Sequence, residues 1–273
     1  MTQDVQAFYL PAPDGQRLCI HHRPGTRARA SVVYVHPFAE EMNKARRMAA
    51  LQARCLAQAG CAVLQIDLLG CGDSSGEFGS ATWQDWVDDV VRAAQWLREQ
   101  NDAPLWLWGL RAGCLLCVAA APRVGPDCNF LFWQPTSSGQ LLLQQFLRLK
   151  IAGDRLGGKD KGSTAELRLA LERGDPVEIA GYRIGAELAR GLEQATLSPP
   201  KAAGRLECLE LSTRPEAALS PATTTLLEQW HAAGLVARGR MVEGPAFWQT
   251  VEIEEAPALL VPTRELLVPG ATP

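Results

Sequence analysis

An α/β architecture with a mostly parallel central sheet, helices on both faces and a helical cap insertion follows from three features of the chain. Short apolar, β-branched runs alternate with stretches of helical periodicity from residue 31 to residue 133, the rhythm of parallel strands joined by right-handed crossovers. The apolar run Leu105-Trp106-Leu107-Trp108 breaks into a tight Gly109-Leu110-Arg111-Ala112-Gly113 turn and then into an apolar helix. The rhythm stops after Pro135 and resumes at Leu206, which leaves 135–205 as a helical cap inserted between core segments 1–134 and 206–273.

Residues 7–10 and 16–22 flank Pro11, Pro13, Asp14 and Gly15, turn formers that predict an opening antiparallel hairpin. Residues 31–36 read as a buried strand stopped by Pro37. Residues 40–43 are polar and predict a loop. A helix over 44–59 follows, with Met48, Leu51, Cys55 and Leu56 on one face and Gly60 as its stop. The next strand is 62–67, and a glycine-rich loop runs from Leu68 to Gly76. Thr82 is an N-cap candidate with Asp85 three residues on, a variant of the capping box, for a helix reaching Asn101. After the turn at Arg111 come a helix over 112–121 and a buried strand over 129–133. The insertion predicts helices over 140–150, 164–173 and 184–194, with a Gly- and Lys-rich break over 153–162. Strand 206–211, helix 222–233 and strand 236–242 complete the core, and the tail predicts a strand-like piece and a short helix over 258–267.

The 273 residues suffice for one large α/β domain or for a core with a cap. A net charge of −3 gives no reason to expect nucleic acid or an acidic membrane surface as partner. The start of the chain lacks a basic segment followed by an apolar core, and no apolar run approaches the roughly 20 residues of a membrane span, so a cytoplasmic location without membrane insertion is expected. The eight cysteines are scattered through apolar segments, which suits reduced core thiols. Cys114 and Cys117 have C-x-x-C spacing but fall in a helix read as buried, with no second pair nearby, so no metal and no cofactor are expected.

Strand, Gly-x-Arg-x-Gly turn and helix match in order the nucleophile elbow of α/β-hydrolases, where Gly-x-Ser-x-Gly presents a serine. The hairpin, the strand to His36 and the strand to Asp67 with Gly70, Gly72 and Ser74 extend the resemblance to the α/β-hydrolase fold over nearly the whole chain. More narrowly, three segments resemble the exosortase A system-associated hydrolase 2 family: His36-Pro37-Phe38-Ala39-Glu40-Glu41-Met42-Asn43, Trp108-Gly109-Leu110-Arg111-Ala112-Gly113 and Glu178-Ile179-Ala180-Gly181-Tyr182. That resemblance implies a setting beside an exosortase, PEP-CTERM proteins and exopolysaccharide synthesis. It implies nothing about chemistry.

The serine chemistry of this fold needs a nucleophile, oxyanion donors, an acid after a late strand and a histidine after the last strand. The nucleophile position holds Arg111, which stays protonated and offers only donors. The oxyanion strand ends His36-Pro37, where proline has no N–H, leaving the Phe38 amide. Glu216 is the only carboxylate in the loop expected to carry the acid, and it reads better as a solvated loop charge or the start of the next helix. No histidine follows His231. Ser74 and Ser75 sit in a loop whose glycines are turn chemistry, and burial would leave the Cys114 thiol inert. A non-catalytic or divergent member is therefore expected. The alternative is a hydrolase or acyl transferase acting on esters through another nucleophile.

A cation at a helix start faces the positive end of the helix dipole, unfavourable by roughly 0.3–1 kcal/mol, so an anion should accompany Arg111. Glu40 and Glu41, approaching from the oxyanion side, could pair with it, or remain solvated loop charges. Helix N–H groups with a guanidinium also make a receptor for carboxylate or phosphate. A third reading has Arg111 tie the cap to the core. The candidate ligand-binding set is Arg111 with Leu110 and Ala112, together with His36, Phe38, Glu40 and Glu41. The expected partner is an acidic small molecule or a protein of the exosortase-linked system.

Overall fold

The computed structural model describes residues 4–156, 163–201 and 204–269. Its eight-stranded sheet is built from β1 (Asp4–Ala12), β2 (Gly15–Arg23), β3 (Ala30–Val35), β4 (Cys61–Ile66), β5 (Leu105–Leu110), β6 (Cys128–Trp133), β9 (Leu206–Ser212) and β10 (Ala237–Glu243). The strand order is β1-β2-β4-β3-β5-β6-β9-β10. β1 and β2 pair antiparallel, as do β2 and β4, and every later pairing is parallel. The inner strands are apolar on both sides because both sheet faces are covered.

On one face, Tyr34, Trp106, Trp108 and Leu110 pack with α1 (Glu40–Gln58) and α8 (Leu260–Leu267). On the other, Val33, Val35 and Leu107 pack with α2 (Trp83–Gln100), α3 (Ala112–Val124) and α7 (Pro221–Ala232). α2 opens on the expected box, with the Thr82 side chain accepting from the Asp85 N–H and the Asp85 carboxylate from the Thr82 N–H. The edge hairpin is locked on by Arg17. Its Nε donates to Asp89 Oδ2 on α2 at 2.7 Å, with both side chains only 1% exposed, and Leu69 N–H donates to the same oxygen. All eight cysteines are free and seven are buried, and no helix among the described residues is long and apolar enough to cross a membrane.

Between β6 and β9 lie α4 (Gly139–Leu156), α5 (Thr164–Glu172), a small hairpin of β7 (Val177–Ile179) and β8 (Tyr182–Ile184), and α6 (Ala186–Gln194). Four expectations need correction. Residues 40–43 are not a loop: α1 starts at Glu40, three residues after Pro37. The break expected over 153–162 does not begin at Gly153, because α4 continues to Leu156, while 157–162 lie outside the described residues. The helix expected over 184–194 starts at Ala186, because 177–184 form a hairpin turning at Ala180 and Gly181, too short to leave a periodic signal. Among the described residues no strand follows β10, and the tail is irregular until a short 3-10 turn at Pro257–Leu259 leads into α8.

Two neighbouring histidines on β2 are buried without charge. His21, 4% exposed, packs edge-on against Trp96 at 5.1 Å, and neither of its ring nitrogens has a hydrogen-bond partner. Burial, aided by the charge of Arg23, pulls its pKa down to about 4. Burial also lowers His22, against the hydrogen bond its Nε2 donates to Gln65 Oε1, which works the other way. Between pH 6.5 and 4 the unfolded chain therefore binds more protons, so stability is complete above that window and declines as the pH falls through it. Urea unfolding from pH 7.5 to 4.5 should show this decline, and His21→Phe should reduce it by about 1–3 kcal/mol while leaving stability at pH 7.5 equal or higher.

Candidate functional site

β3 and β5 lie side by side and parallel, and each ends in the same device. The chain leaves the strand, passes one residue in a left-handed conformation and enters a helix. After β3 this residue is Ala39 (φ 50°, ψ −125°), the N-cap of α1; after β5 it is Arg111 (φ 55°, ψ −115°), the N-cap of α3. Neither cap helps itself through a side-chain hydrogen bond. The strain is imposed by packing, as happens at functional sites. Arg111 N–H donates to Trp133 O at 3.1 Å, which fastens the turn to β6. Gly109 and Gly113 allow the approach: a Cβ on Gly113 would lie 2.1 Å from Val35 O, and one on Gly109 2.5 Å from Cys114 N. Two helix N-termini thus converge on one place at the carboxyl edge of the sheet.

Arg111 projects into that place. Its Nε donates to Glu41 Oε1 at 3.3 Å, an ion pair whose side chains are 11% and 9% exposed. Its Nη2 donates to Gln145 Oε1 of α4 at 3.3 Å, and the guanidinium carbon stands 5.9 Å from the ring centre of Trp248. The surrounding cavity, about 420 Å³, is lined by Phe38, Glu40, Glu41, Lys44, Arg111, Leu142, Gln145, Phe146, Leu149, Trp248 and Gln249. Burial raises the pKa of Glu41, opposed by the charge of Arg111 and by the Gln249 amide. Burial raises Glu40 as well. The pairing of Arg111 with a glutamate of the oxyanion side is thus made by Glu41, in the first turn of a helix whose own N-terminus favours the carboxylate.

Of the expected ligand-binding set, the cavity wall includes Arg111, Phe38, Glu40 and Glu41, but not Leu110, Ala112 or His36. The Leu110 side chain belongs to the buried face shared with α1 and α8. The Ala112 side chain is buried too, and only its N–H, which has no acceptor among the described residues, remains relevant at the elbow; the Phe38 N–H is in the same state. His36 turns to the other side and lines a separate cavity of about 160 Å³ with Tyr34, Arg46 and Asp67. Leu68 N–H donates to its Nε2 at 3.4 Å, so the proton sits on Nδ1, 2.8 Å from Pro37 O. Burial keeps this ring neutral and both nitrogens are engaged.

Four contributors were not legible in the sequence: Gln145 and Trp248, which touch Arg111, and Lys44 and Gln249, which line the wall. Trp248 follows β10, where the serine chemistry of this fold needs a histidine, and is carried there by ring contacts running Tyr34, Trp108, Trp133, Phe247, Trp248. Among the described residues no histidine side chain lines the Arg111 cavity: His36 lines the separate one, His231 Nε2 is engaged with Ala237 O at 2.7 Å, and His21 and His22 are on β2. Glu216 is exposed at φ 54°, away from the cavity. Ser74 Oγ donates to Asp67 O and accepts from Leu18 N–H, and Ser75 Oγ accepts from Gln16 N–H, so both serines pin the glycine-rich loop to the hairpin. Burial lifts the Cys114 thiol well above its usual range.

The family model described as serine aminopeptidase, S33, matches residues 26–133, and no curated protein matches the chain by sequence. Solved structures of similar shape span almost all of it. Est1E from Butyrivibrio proteoclasticus, solved with ferulic acid bound, is 14% identical over 96% of each chain, with a TM-score of 0.68. GrgF from Penicillium sp. sh18, described as an α/β hydrolase, is 17% identical over 97% of this chain and 98% of its own, with a TM-score of 0.59. XC6422 from Xanthomonas campestris, described as an α/β serine hydrolase without lid, is 16% identical over 100% and 99%, with a TM-score of 0.57. The chain has the α/β-hydrolase fold.

Strain at the elbow is open to measurement. Arg111→Gly and Arg111→Ala lose the same guanidinium contacts, but only glycine tolerates φ 55° without a steric penalty. Arg111→Gly should be the more stable of the two by about 1–2 kcal/mol in chemical denaturation, and equal stabilities would show the backbone to be relaxed there.

Proposed function

We propose that the protein is a receptor for a carboxylate-bearing small molecule, bound without turnover in the Arg111 cavity. The observation that carries this reading is a guanidinium whose direction is fixed by Glu41 and Gln145 while Nη1 is left without a hydrogen bond among the described residues. A planar donor held in this way is suited to a carboxylate, and the elbow N–H of Ala112 at the positive end of α3 adds to it. Phe38, Leu142, Phe146 and Leu149 supply apolar surface for the rest of the molecule. Its volume is in the range of small-molecule sites, roughly 300–1,000 Å³. Support for an exosortase-linked cellular setting is the resemblance of the three short segments. The second reading, an ester hydrolase, draws on the retained elbow backbone and the unbonded N–H groups of Phe38 and Ala112. Against it stands the absence of any paired nucleophile and base among the described residues.

The two readings part in a direct test. 3-Phenylpropanoate should raise the melting temperature of the wild type and bind about 10–100-fold more weakly to Arg111→Met, as expected for loss of a charge-assisted hydrogen bond worth about 1.5–3 kcal/mol. Covalent labelling of the wild type by a fluorophosphonate, with turnover of short p-nitrophenyl esters, would replace the receptor reading with the hydrolase one.

A further inference from the structure

The cavity around Arg111 presents more than a carboxylate needs. Its charged lining is balanced, with Glu40 and Glu41 against Lys44 and Arg111. A ligand bringing only a negative charge would upset that balance beside the Arg111 and Glu41 side chains, which are 11% and 9% exposed. One with both charges would not.

The hydrogen bonding points the same way. Glu41 is 7% exposed, and although its Oε1 accepts from Arg111, its Oε2 has no partner among the described residues. Oε2 of Glu40 on the same wall is also buried without a partner. Buried carboxylate oxygens without donors are costly, and on the wall around them Lys44 and Gln249 are the remaining polar side chains. Arg111 gives Nε and Nη2 to Glu41 and Gln145. The unmet need on the glutamate side is for donors, best for donors carrying positive charge. On the arginine side it is for acceptors.

We infer that the ligand is a zwitterion with an apolar body, the chemistry of an apolar dipeptide, its carboxylate on Arg111 and its ammonium between Glu40 and Glu41. This rests on the reading that a carboxylate meets Arg111 and adds the second charge and the apolar body. Phe38, Phe146 and Trp248 line the cavity and supply aromatic surface for the side chains. Lys44, one helical turn beyond Glu40 on α1, lies on the cavity wall as a second cation for the carboxylate.

Calorimetric titration with three compounds tests this: phenylalanyl-leucine, its des-amino analogue 3-phenylpropanoyl-leucine, and phenylalanyl-isopentylamide, which lacks the carboxylate. The wild type should bind the dipeptide at least ~10-fold more tightly than either analogue, the factor that corresponds to one charge-assisted contact. Glu40→Gln, which leaves the Glu41–Arg111 pair in place, should weaken the dipeptide several-fold and leave 3-phenylpropanoyl-leucine unchanged. If 3-phenylpropanoyl-leucine matches or exceeds the dipeptide, the zwitterion is wrong while the carboxylate receptor stands. Binding of 3-phenylpropanoate alone, with all three larger compounds silent, has the same meaning. Preference for phenylalanyl-isopentylamide, or no binding of any of the four, overturns both.

Discussion

A cation that cannot lose its proton, set at the positive end of a buried helix, is the constraint from which the site follows. Arg111 caps α3 and is 11% exposed, so neither solvent nor the helix relieves its charge. Relief comes from Glu41, which stands at the start of α1, where a carboxylate is favoured by the other helix's dipole. One ion pair thus answers an unfavourable charge on α3 with a favourable one on α1. Burial pushes the carboxyl toward its neutral form, while the guanidinium pulls it toward the charged one. A buried pair of this kind need not add net stability, but removing one member leaves the other exposed to the full cost of burial.

The backbone makes the pair unavoidable. β3 and β5 are hydrogen-bonded neighbours, and both feed helices through a residue with φ near 50°. Gly113 lets α3 come against the end of β3 so closely that the carbonyl of Val35 would collide with any side chain there. The spacing between the two caps is therefore fixed by sheet pairing and glycine contact. Phe38, between β3 and α1, closes the apolar side by packing on Phe78, Trp86 and Phe146. The insertion contributes through α4, whose Gln145 reaches back to the guanidinium.

The sheet, its helices and the elbow were legible because each carries a local signal. β-branched runs, the Thr82 and Asp85 box and the Gly109 to Gly113 turn all act within a few residues. The start of α1 was not legible, because its cap is Ala39, held at φ 50° by tertiary packing, with no Ser, Thr, Asp or Asn to mark it. The same gap made Glu40 and Glu41 look like loop charges. His36 was placed correctly along the chain and wrongly across it: Tyr34, two residues before, shares its cavity, and period-two alternation turns both toward Arg46 and Asp67. Gln145, Trp248 and Gln249 are brought in from far along the chain by α4 and the loop after β10. No spacing rule could reveal them.

Two positions on which serine chemistry depends in this fold touch each other here. The Arg111 guanidinium carbon is 5.9 Å from the Trp248 ring, a cation against a π face. An imidazole in place of Trp248 would face a permanent positive charge, which disfavours the protonated form a general base must adopt. A serine in place of Arg111 would face an indole, which has no acceptor for its proton. It would also leave Glu41 as a carboxylate 93% removed from solvent with its counter-charge gone, for Glu41 is only 7% exposed. Arg111, Trp248 and Glu41 therefore form one contact group at the elbow, and replacing Arg111 alone leaves the buried Glu41 carboxylate without its counter-charge.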